Sequence, residues 1–520
     1  MSNNFPLDDM ASSPAADAPW LPDGPRLPLW RASVRMALVS LASVVAAGIM
    51  VSGLSGCADM SGITPQSSLR DAASLGLAAA PVPASAQMQV GAQWWRDFGD
   101  ETLNALVAQA LASSPSLKLA QARLAGAQAA TGAASAALLP QVIGQLDLTH
   151  QRHTANGAVP PPLAGSIRDS GTAQLSASWE LDFFGKNRAA LDAALGSANA
   201  AQADAQAARV LLASQVARSY FQLVRLNEQT LLARRTLAQR DETLKLVQDR
   251  VKAGLDTQLE LRQSEGGLPE ARLQLEILQE QSELARHALN ALIGQPATAA
   301  MPAPLAQAAI QNVALGAAVP ADLLGRRADI AAARWRVEAA SSDVVSTKAQ
   351  FYPNINLVGF AGLSSIGLGQ LLNAGSQQWG VGPALRLPIF DSGRLRARLG
   401  SKTADLDAAV ESYNAAVIDA VRDVADQLAS AQAIGRQQRE QRAAQEAAEG
   451  AYRIAVQRYK AGLGNYLNVL TAETSVLAQR RLAVDLTSRA LDTQVALMRA
   501  LGGGYSAAAI APAPASVAAL

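Results

Sequence analysis

Thr172-Ala173-Gln174-Leu175-Ser176-Ala177-Ser178-Trp179-Glu180-Leu181-Asp182-Phe183 alternates without a break. Ala173, Leu175, Ala177, Trp179, Leu181 and Phe183 fall on one face, and Thr172, Gln174, Ser176, Ser178, Glu180 and Asp182 on the other. Successive side chains of a strand point to opposite sides, so the stretch predicts a strand with one dry and one wet face. Alternation over about ten residues suits a strand set between lipid and a watery lumen. A soluble sandwich strand gives the same pattern, so alternation alone leaves both readings open.

Three more stretches carry the signal. Upstream, Val142, Leu146 and Leu148 oppose Gln145, Asp147 and Thr149, and a loop with Pro160, Pro161 and Pro162 separates this strand from the first. Downstream, Ile355 and Leu357 oppose Asn354 and Asn356, while Trp379, Val381, Leu385 and Leu387 share one face with Arg386 on the other. Four strands cannot close a barrel alone, and an open edge in lipid leaves backbone groups unsatisfied. If these strands span a membrane, several chains must share the barrel.

The segments after the strands read as helices of unusual length. Asn187 to Val251 holds no proline and one glycine, Gly196, and as a helix would extend about 100 Å. Val216, Leu223, Leu237, Leu244 and Val251 stand at seven-residue intervals, with Thr230 the exception, which favours coiled-coil packing. Its partner runs from Thr257 to Leu292, and Gly266, Gly267 and Pro269 are expected to kink or break it. Before the strands, Asp100 can cap a helix that continues to Leu138.

The pattern occurs twice. Lys252-Ala253-Gly254-Leu255 recurs as Lys460-Ala461-Gly462-Leu463, a shift of 208 residues, and Leu139-Pro140 lines up with Tyr352-Pro353, a shift of 213. Residues 101–296 form a first repeat of helix, two strands and two long helices; residues 321–504 form a second, with Ser392 to Lys460 and Asn465 to Leu501 as its long pair. A proline-bearing linker, 297–320, joins them, and 505–520 is an Ala/Pro-rich tail.

The first 56 residues read as an extension and an address. Arg26, Arg31 and Arg35 precede an apolar run from Met36 to Val51, shorter than the roughly 20 residues of a spanning helix and typical of a secretory signal. It ends in Leu54-Ser55-Gly56-Cys57, which looks like a bacterial lipobox, with Cys57 the lipidated residue and 57–100 the linker that follows. More than one acyl chain anchors a protein stably; a small buried core cysteine is the competing reading. Ala58 rather than Asp after the cysteine favours outer-membrane sorting among such lipoproteins.

Composition narrows the function. Lys plus Arg number 44 against 43 Asp plus Glu, a balance that gives no electrostatic reason to expect nucleic acid. One cysteine and three histidines without HExxH spacing leave little for a zinc site. Glu180 and Asp182 could be offered as an acid/base pair, but they sit on a wet strand face amid Ser and Gln. No nucleophile elbow or phosphate loop appears, so neither an enzyme nor a cofactor is expected.

With these residues in order, the chain resembles the TolC-like outer-membrane factor family, and within it the NodT-type branch of efflux lipoproteins. The resemblance runs from about 94 to 504. Trp94-Trp95 with Phe98, Asp100, Leu103 and Leu106 resembles the entry motif. Leu181-Asp182-Phe183-Phe184-Gly185-Lys186 and Pro388-Ile389-Phe390-Asp391-Ser392-Gly393-Arg394 resemble the strand-to-helix junctions. Arg458-Tyr459-Lys460-Ala461-Gly462 and Tyr466-Leu467-Asn468-Val469-Leu470 resemble a periplasmic tip.

The resemblance implies an α+β membrane protein: a homotrimer whose three sets of four strands make a 12-stranded barrel in outer-membrane lipid, continued by a helical periplasmic tunnel. It implies an exit duct for small molecules, fed by an inner-membrane pump through a periplasmic adaptor. It places adaptor docking at Ala253, Gly254, Leu255, Ala461, Gly462 and Leu463. It places the aperture at Leu467, Asn468 and Thr471, although the acidic residues common in the family are absent from the last two. Asp256, Glu260 and Glu473 are then the candidate aperture charges. Export of proteins, and a pore-free coiled-coil scaffold lipoprotein, are the alternatives.

Overall fold

The structure, a computed structural model of the chain, describes residues 60–70, 90–302, 304–311 and 327–505. Cys57, the signal segment and the tail beyond Tyr505 lie outside the described residues, as do most of the linker and part of 57–100.

After a 3-10 turn at Trp94–Phe98 come α1 (Glu101–Ser113), α2 (Pro115–Ala136), β1 (Gln141–Arg152), β2 (Ile167–Leu181), α3 (Lys186–Lys252) and α4 (Gln258–Leu292). Then follow α5 (Ala328–Ala349), β3 (Asn354–Ile366), β4 (Gln377–Arg386), α6 (Arg394–Lys460) and α7 (Tyr466–Ala500). Among the described residues no helix is long and apolar enough to cross a membrane.

Two helix expectations are corrected. The single helix from Asp100 to Leu138 is two helices, because Pro115 opens α2 at its first turn while Ser114, at ψ 128, ends α1. Proline is tolerated at a helix start, where its missing N–H has no partner to lose. The expected break at Gly266–Pro269 does not occur, and α4 runs through Pro269 unbroken. There Arg240 Nη1 of α3 donates to Gly267 O at 2.8 Å, a side-chain bond beside the proline that cannot donate its own.

The four strands form one antiparallel sheet in chain order. The register pairs Leu175 with Gly144 on β1 and Ala361 on β3, and Ala361 with Trp379 on β4. Side chains of one face therefore line up across all four strands, and Val142, Ala177, Gly359 and Val381 form the next such row. The opposite face is richer in polar groups, though Ile143, Val358 and Phe360 also lie on it: Thr172 and Ser364 hydroxyls lie 3.1 Å apart, and Gln378 Nε2 donates to Gln174 Oε1 at 3.1 Å. Phe360 on this face covers Gly380.

The two repeats are not separate bodies. They share the sheet through β2 and β3, and α3 of the first packs along α5 of the second. Gly196 makes that approach possible, since an added Cβ would meet the Ala339 backbone at 3.1 Å.

The main apolar core lies partway along the helices. Trp94, Trp95 and Phe98 plug it against Leu103 and Val107 of α1, Val216 to Val224 of α3, and Leu491 and Val495 of α7. Asp100 caps α1 through Thr102 N and Leu103 N, and its other oxygen accepts from Tyr220 Oη at 2.5 Å. Burial, with the Asp100 carboxylate, pushes the Tyr220 hydroxyl above its ordinary range, so it remains a donor. Phe98 is fully buried with its ring 5.1 Å from that of Phe221. Phe98→Ala is expected to destabilise the chain by about 3–5 kcal/mol, read by thermal unfolding.

Candidate functional site

Both hairpin tips are built from the same local physics. In the first, Gly254 N bonds to Val251 O at 3.0 Å and Leu255 N to Arg250 O at 2.8 Å; in the second, Gly462 N bonds to Tyr459 O at 3.0 Å and Leu463 N to Arg458 O at 2.8 Å. These are Schellman closures. They require a left-handed residue, met by Gly254 at φ 70 and Gly462 at φ 73. The next helices start on side-chain caps: Thr257 with Glu260 forms a capping box on α4, and Asn465 Oδ1 accepts from Asn468 N on α7. The duplicated tetrapeptide is thus a duplicated turn, with Ala253, Leu255, Ala461 and Leu463 exposed around it.

The first helical turns beyond the tips are two-faced. Tyr466, Val469, Glu473 and Val476 of α7 are buried at alternating spacings of three and four, the seam of a coiled coil. Leu467, Asn468 and Thr471 share the exposed side, and Thr471 Oγ1 bonds to Leu467 O at 2.9 Å. Leu467 is 57% exposed, and its repeat mate Leu259 is 63% exposed. The shift of 208 that relates the tetrapeptides also relates these two leucines, so the sequence carried the signal for Leu259.

The three acidic candidates are all engaged within the chain. Asp256 receives Arg250 Nε at 2.9 Å and Nη2 at 3.2 Å, and also a hydrogen bond from Tyr459 Oη. The Arg250 guanidinium stands 4.6 Å from the centre of the Tyr459 ring. This cluster ties the first hairpin, which holds Arg250 and Asp256, to the last turn of α6. Burial pushes the Asp256 carboxyl up, but the bonds from Arg250 and Tyr459 outweigh it and hold it below the usual carboxylate range. Glu473 is buried and pairs with Arg240 across α3 and α7 at 3.4 Å, and Arg240 also reaches Glu270 at 2.8 Å. Glu260 accepts from Thr257 N at 2.9 Å as part of its capping box. Arg240, Arg250 and Tyr459 were not singled out as site residues from the sequence; Arg240 and Tyr459 meet acids of the other repeat, whereas the Arg250–Asp256 pair, six residues apart across the turn, was within reach of a local reading.

At the other end of the molecule, the apolar face of the sheet is exposed, with Leu146 and Leu175 above 60% and Trp379 at 77%. Where strands meet helices, Phe184 stacks on Tyr352 with centroids 4.9 Å apart, and Phe183, Ile389 and Phe390 are exposed beside the junctions. An exposed apolar band bordered by aromatics is the pattern of a membrane barrel's outer surface. Behind it lies the more polar face, and two helices of 67 residues each continue from the strands.

A sequence model described as "Outer membrane efflux protein" matches residues 106–295 and again 319–503. The chain is 35% identical over 416 residues to the pyoverdine export outer membrane protein OpmQ of Pseudomonas aeruginosa, spanning 79% of this chain and 87% of that protein. It is 38% identical over 368 residues to the fusaric acid resistance protein FusA of Burkholderia cepacia, spanning 68% and 67%. The solved outer membrane protein VceC of Vibrio cholerae superposes with a TM-score of 0.75 at 36% identity, covering 80% of this chain and 100% of that one. The chain belongs to the outer membrane efflux protein family. It is an outer-membrane efflux channel protein and not an enzyme, and neither the scaffold nor the protein-export alternative is favoured by its relatives.

Proposed function

We propose that three copies of this chain close one 12-stranded barrel and one helical tunnel, and that the assembly is the passive exit duct of a tripartite efflux system. The observation that carries this reading is the sheet. Its apolar rows run unbroken from β1 to β4, yet β1 and β4 each end in an open edge. Lipid tolerates no such edge, so further chains must supply the missing strands. Each strand, at 10 to 15 residues, has the roughly 9–11 needed to cross a bilayer. The test is electrophoresis of outer-membrane extracts without boiling. A heat-dissociable band at three times the chain mass is expected; a band at the chain mass alone contradicts the reading.

Cys57 is the lipid attachment point in this proposal. The periplasmic adaptor docks on the tips, where Leu255 and Leu463 stand exposed on rigid turns and Leu259 and Leu467 flank them. The pump of the inner membrane delivers small molecules through that adaptor. Pyoverdine export and fusaric acid resistance, the named roles of two relatives, favour small organic substrates over polypeptides. Gly462→Val is expected to weaken adaptor capture about tenfold or more, because a β-branched residue at φ 73 deforms the turn. Surface-captured adaptor binding to the purified channel measures it.

The aperture is gated where Leu467, Asn468 and Thr471 would converge around a threefold axis. The tie among Arg250, Asp256 and Tyr459 restrains it, because spreading the tips shifts one hairpin past the other. Acid sensitivity follows from the sign of the shift. The folded Asp256 carboxyl lies below its ordinary value of 3.8, so its contribution is present above that pH and lost as pH falls through the folded value. Conductance is therefore expected to be flat between pH 5 and 8 and to rise only below about pH 4. A change centred near pH 6.5 would assign the gate to another group.

A further inference from the structure

Residues 60–70 belong to neither repeat, yet they are held along α6. Asp407 Oδ1 accepts from two consecutive backbone amides, Gln66 N and Ser67 N, each at 2.9 Å. Two helical turns later Asn414 contacts the backbone in both directions: Oδ1 accepts from Arg70 N at 2.9 Å and Nδ2 donates to Ser68 O at 3.0 Å. Toward the start of the helix, Arg396 Nη2 donates to Ser61 O at 3.2 Å. The contacts fall in the same order on both segments, so the strap runs parallel to α6, beginning at the end nearest β4. From Arg396 to Asn414 the helix rises about 27 Å.

The attachment has the marks of a built site. Every contact named is to main-chain atoms of the strap, so its grip does not depend on strap side chains. Asn414 is 3% exposed, and a buried primary amide needs partners for both its ends. The strap supplies one for each, and Glu411 accepts a further bond at 3.3 Å.

We propose that Asp407 and Asn414 form a clamp that fixes the anchor-bearing end of the chain to α6. The proposal rests on the reading that Cys57 is lipidated. Cys57 precedes Ser61 by four residues, so an acyl anchor there joins the end of the strap that lies toward the sheet. With the clamp closed, the strap is held to α6, and the anchor is tethered to it through the residues between Cys57 and Ser61. Asp407 and Asn414 are positioning residues: what they hold is the main chain of the strap.

Amide hydrogen exchange of the full-length protein in detergent tests the clamp. In the wild type, the Gln66, Ser67 and Arg70 amides are expected to exchange at least tenfold more slowly than in an Asp407→Ala/Asn414→Ala double variant, with α6 equally protected in both. Asp407→Asn keeps the accepting oxygen and is expected to restore slow exchange at Gln66 and Ser67. Equal exchange in wild type and double variant overturns the clamp. The double variant is also expected to give several-fold fewer trimers in outer-membrane fractions while its N-terminal peptide still carries acyl mass; undiminished trimer overturns the coupling. An N-terminal peptide without acyl mass in the wild type, matching that of Cys57→Ser, overturns the lipidation reading and the anchoring role with it. Exchange at Gln66, Ser67 and Arg70 still decides separately whether the clamp exists.

Discussion

Asp256→Ala is expected to raise the open population of the tip by about a hundredfold or more. The Arg250 and Asp256 side chains are only 12% and 9% exposed. Removing one member of a buried ion pair destabilises the paired state by about 3–5 kcal/mol, and each 1.4 kcal/mol is about tenfold in a population. The loss falls on the arrangement in which the two hairpins are tied, because Tyr459 of α6 shares the same carboxylate. Tyr459→Phe removes one bond and leaves the ion pair, so its effect is expected to be smaller, about fivefold to tenfold. Single-channel recording reads both. If Asp256→Ala conducts like the wild type, the tie does not restrain the gate.

The second large effect lies at the other end. Leu175→Arg places a cation near the middle of β2, on the face shared with Gly144, Ala361 and Trp379. A cation on the lipid face at the bilayer midplane costs about 2–4 kcal/mol, and a threefold assembly would incur it three times. Mature trimer is expected to be lost from outer-membrane fractions. Gln174→Arg, one residue away on the wet face, is expected to assemble and shift ion selectivity toward anions instead. Equal assembly of the two variants would mean that the dry face does not meet lipid.

The strands and the long helices were legible in the sequence because their signals are local. Alternation around Trp179 places the end of β2 to within two residues and its start to within five, and Lys-Ala-Gly-Leu ends both α3 and α6 where a Schellman turn needs a glycine. The split at Ser114 was missed although Ser113-Ser114-Pro115-Ser116 interrupts the apolar spacing and Pro115 is a local helix-start signal. The continuity of α4 through Pro269 was missed because a proline inside a helix, with two glycines just before it, reads locally as an interruption.

The candidate site was legible in part for the same reason. Tip glycines and exposed leucines lie in short motifs, and the repeat marks them twice. Glu473 read as a free acid because Arg240, which pairs with it, belongs to a helix of the other repeat; Asp256 is paired with Arg250 of its own hairpin, and only its second partner, Tyr459, comes from the other repeat. The strap at 60–70 has no periodicity, since its named bonds are made by its backbone and not by its side chains.

The most direct measurement is single-channel conductance of the purified, full-length protein in planar bilayers, with its mass determined in the same detergent. The account predicts a trimer with a small conductance that grows when Leu467→Ser widens the aperture. A monomer, or a trimer that stays silent even when both Leu467→Ser and Asp256→Ala are introduced, would contradict a gated duct built from three copies of this chain.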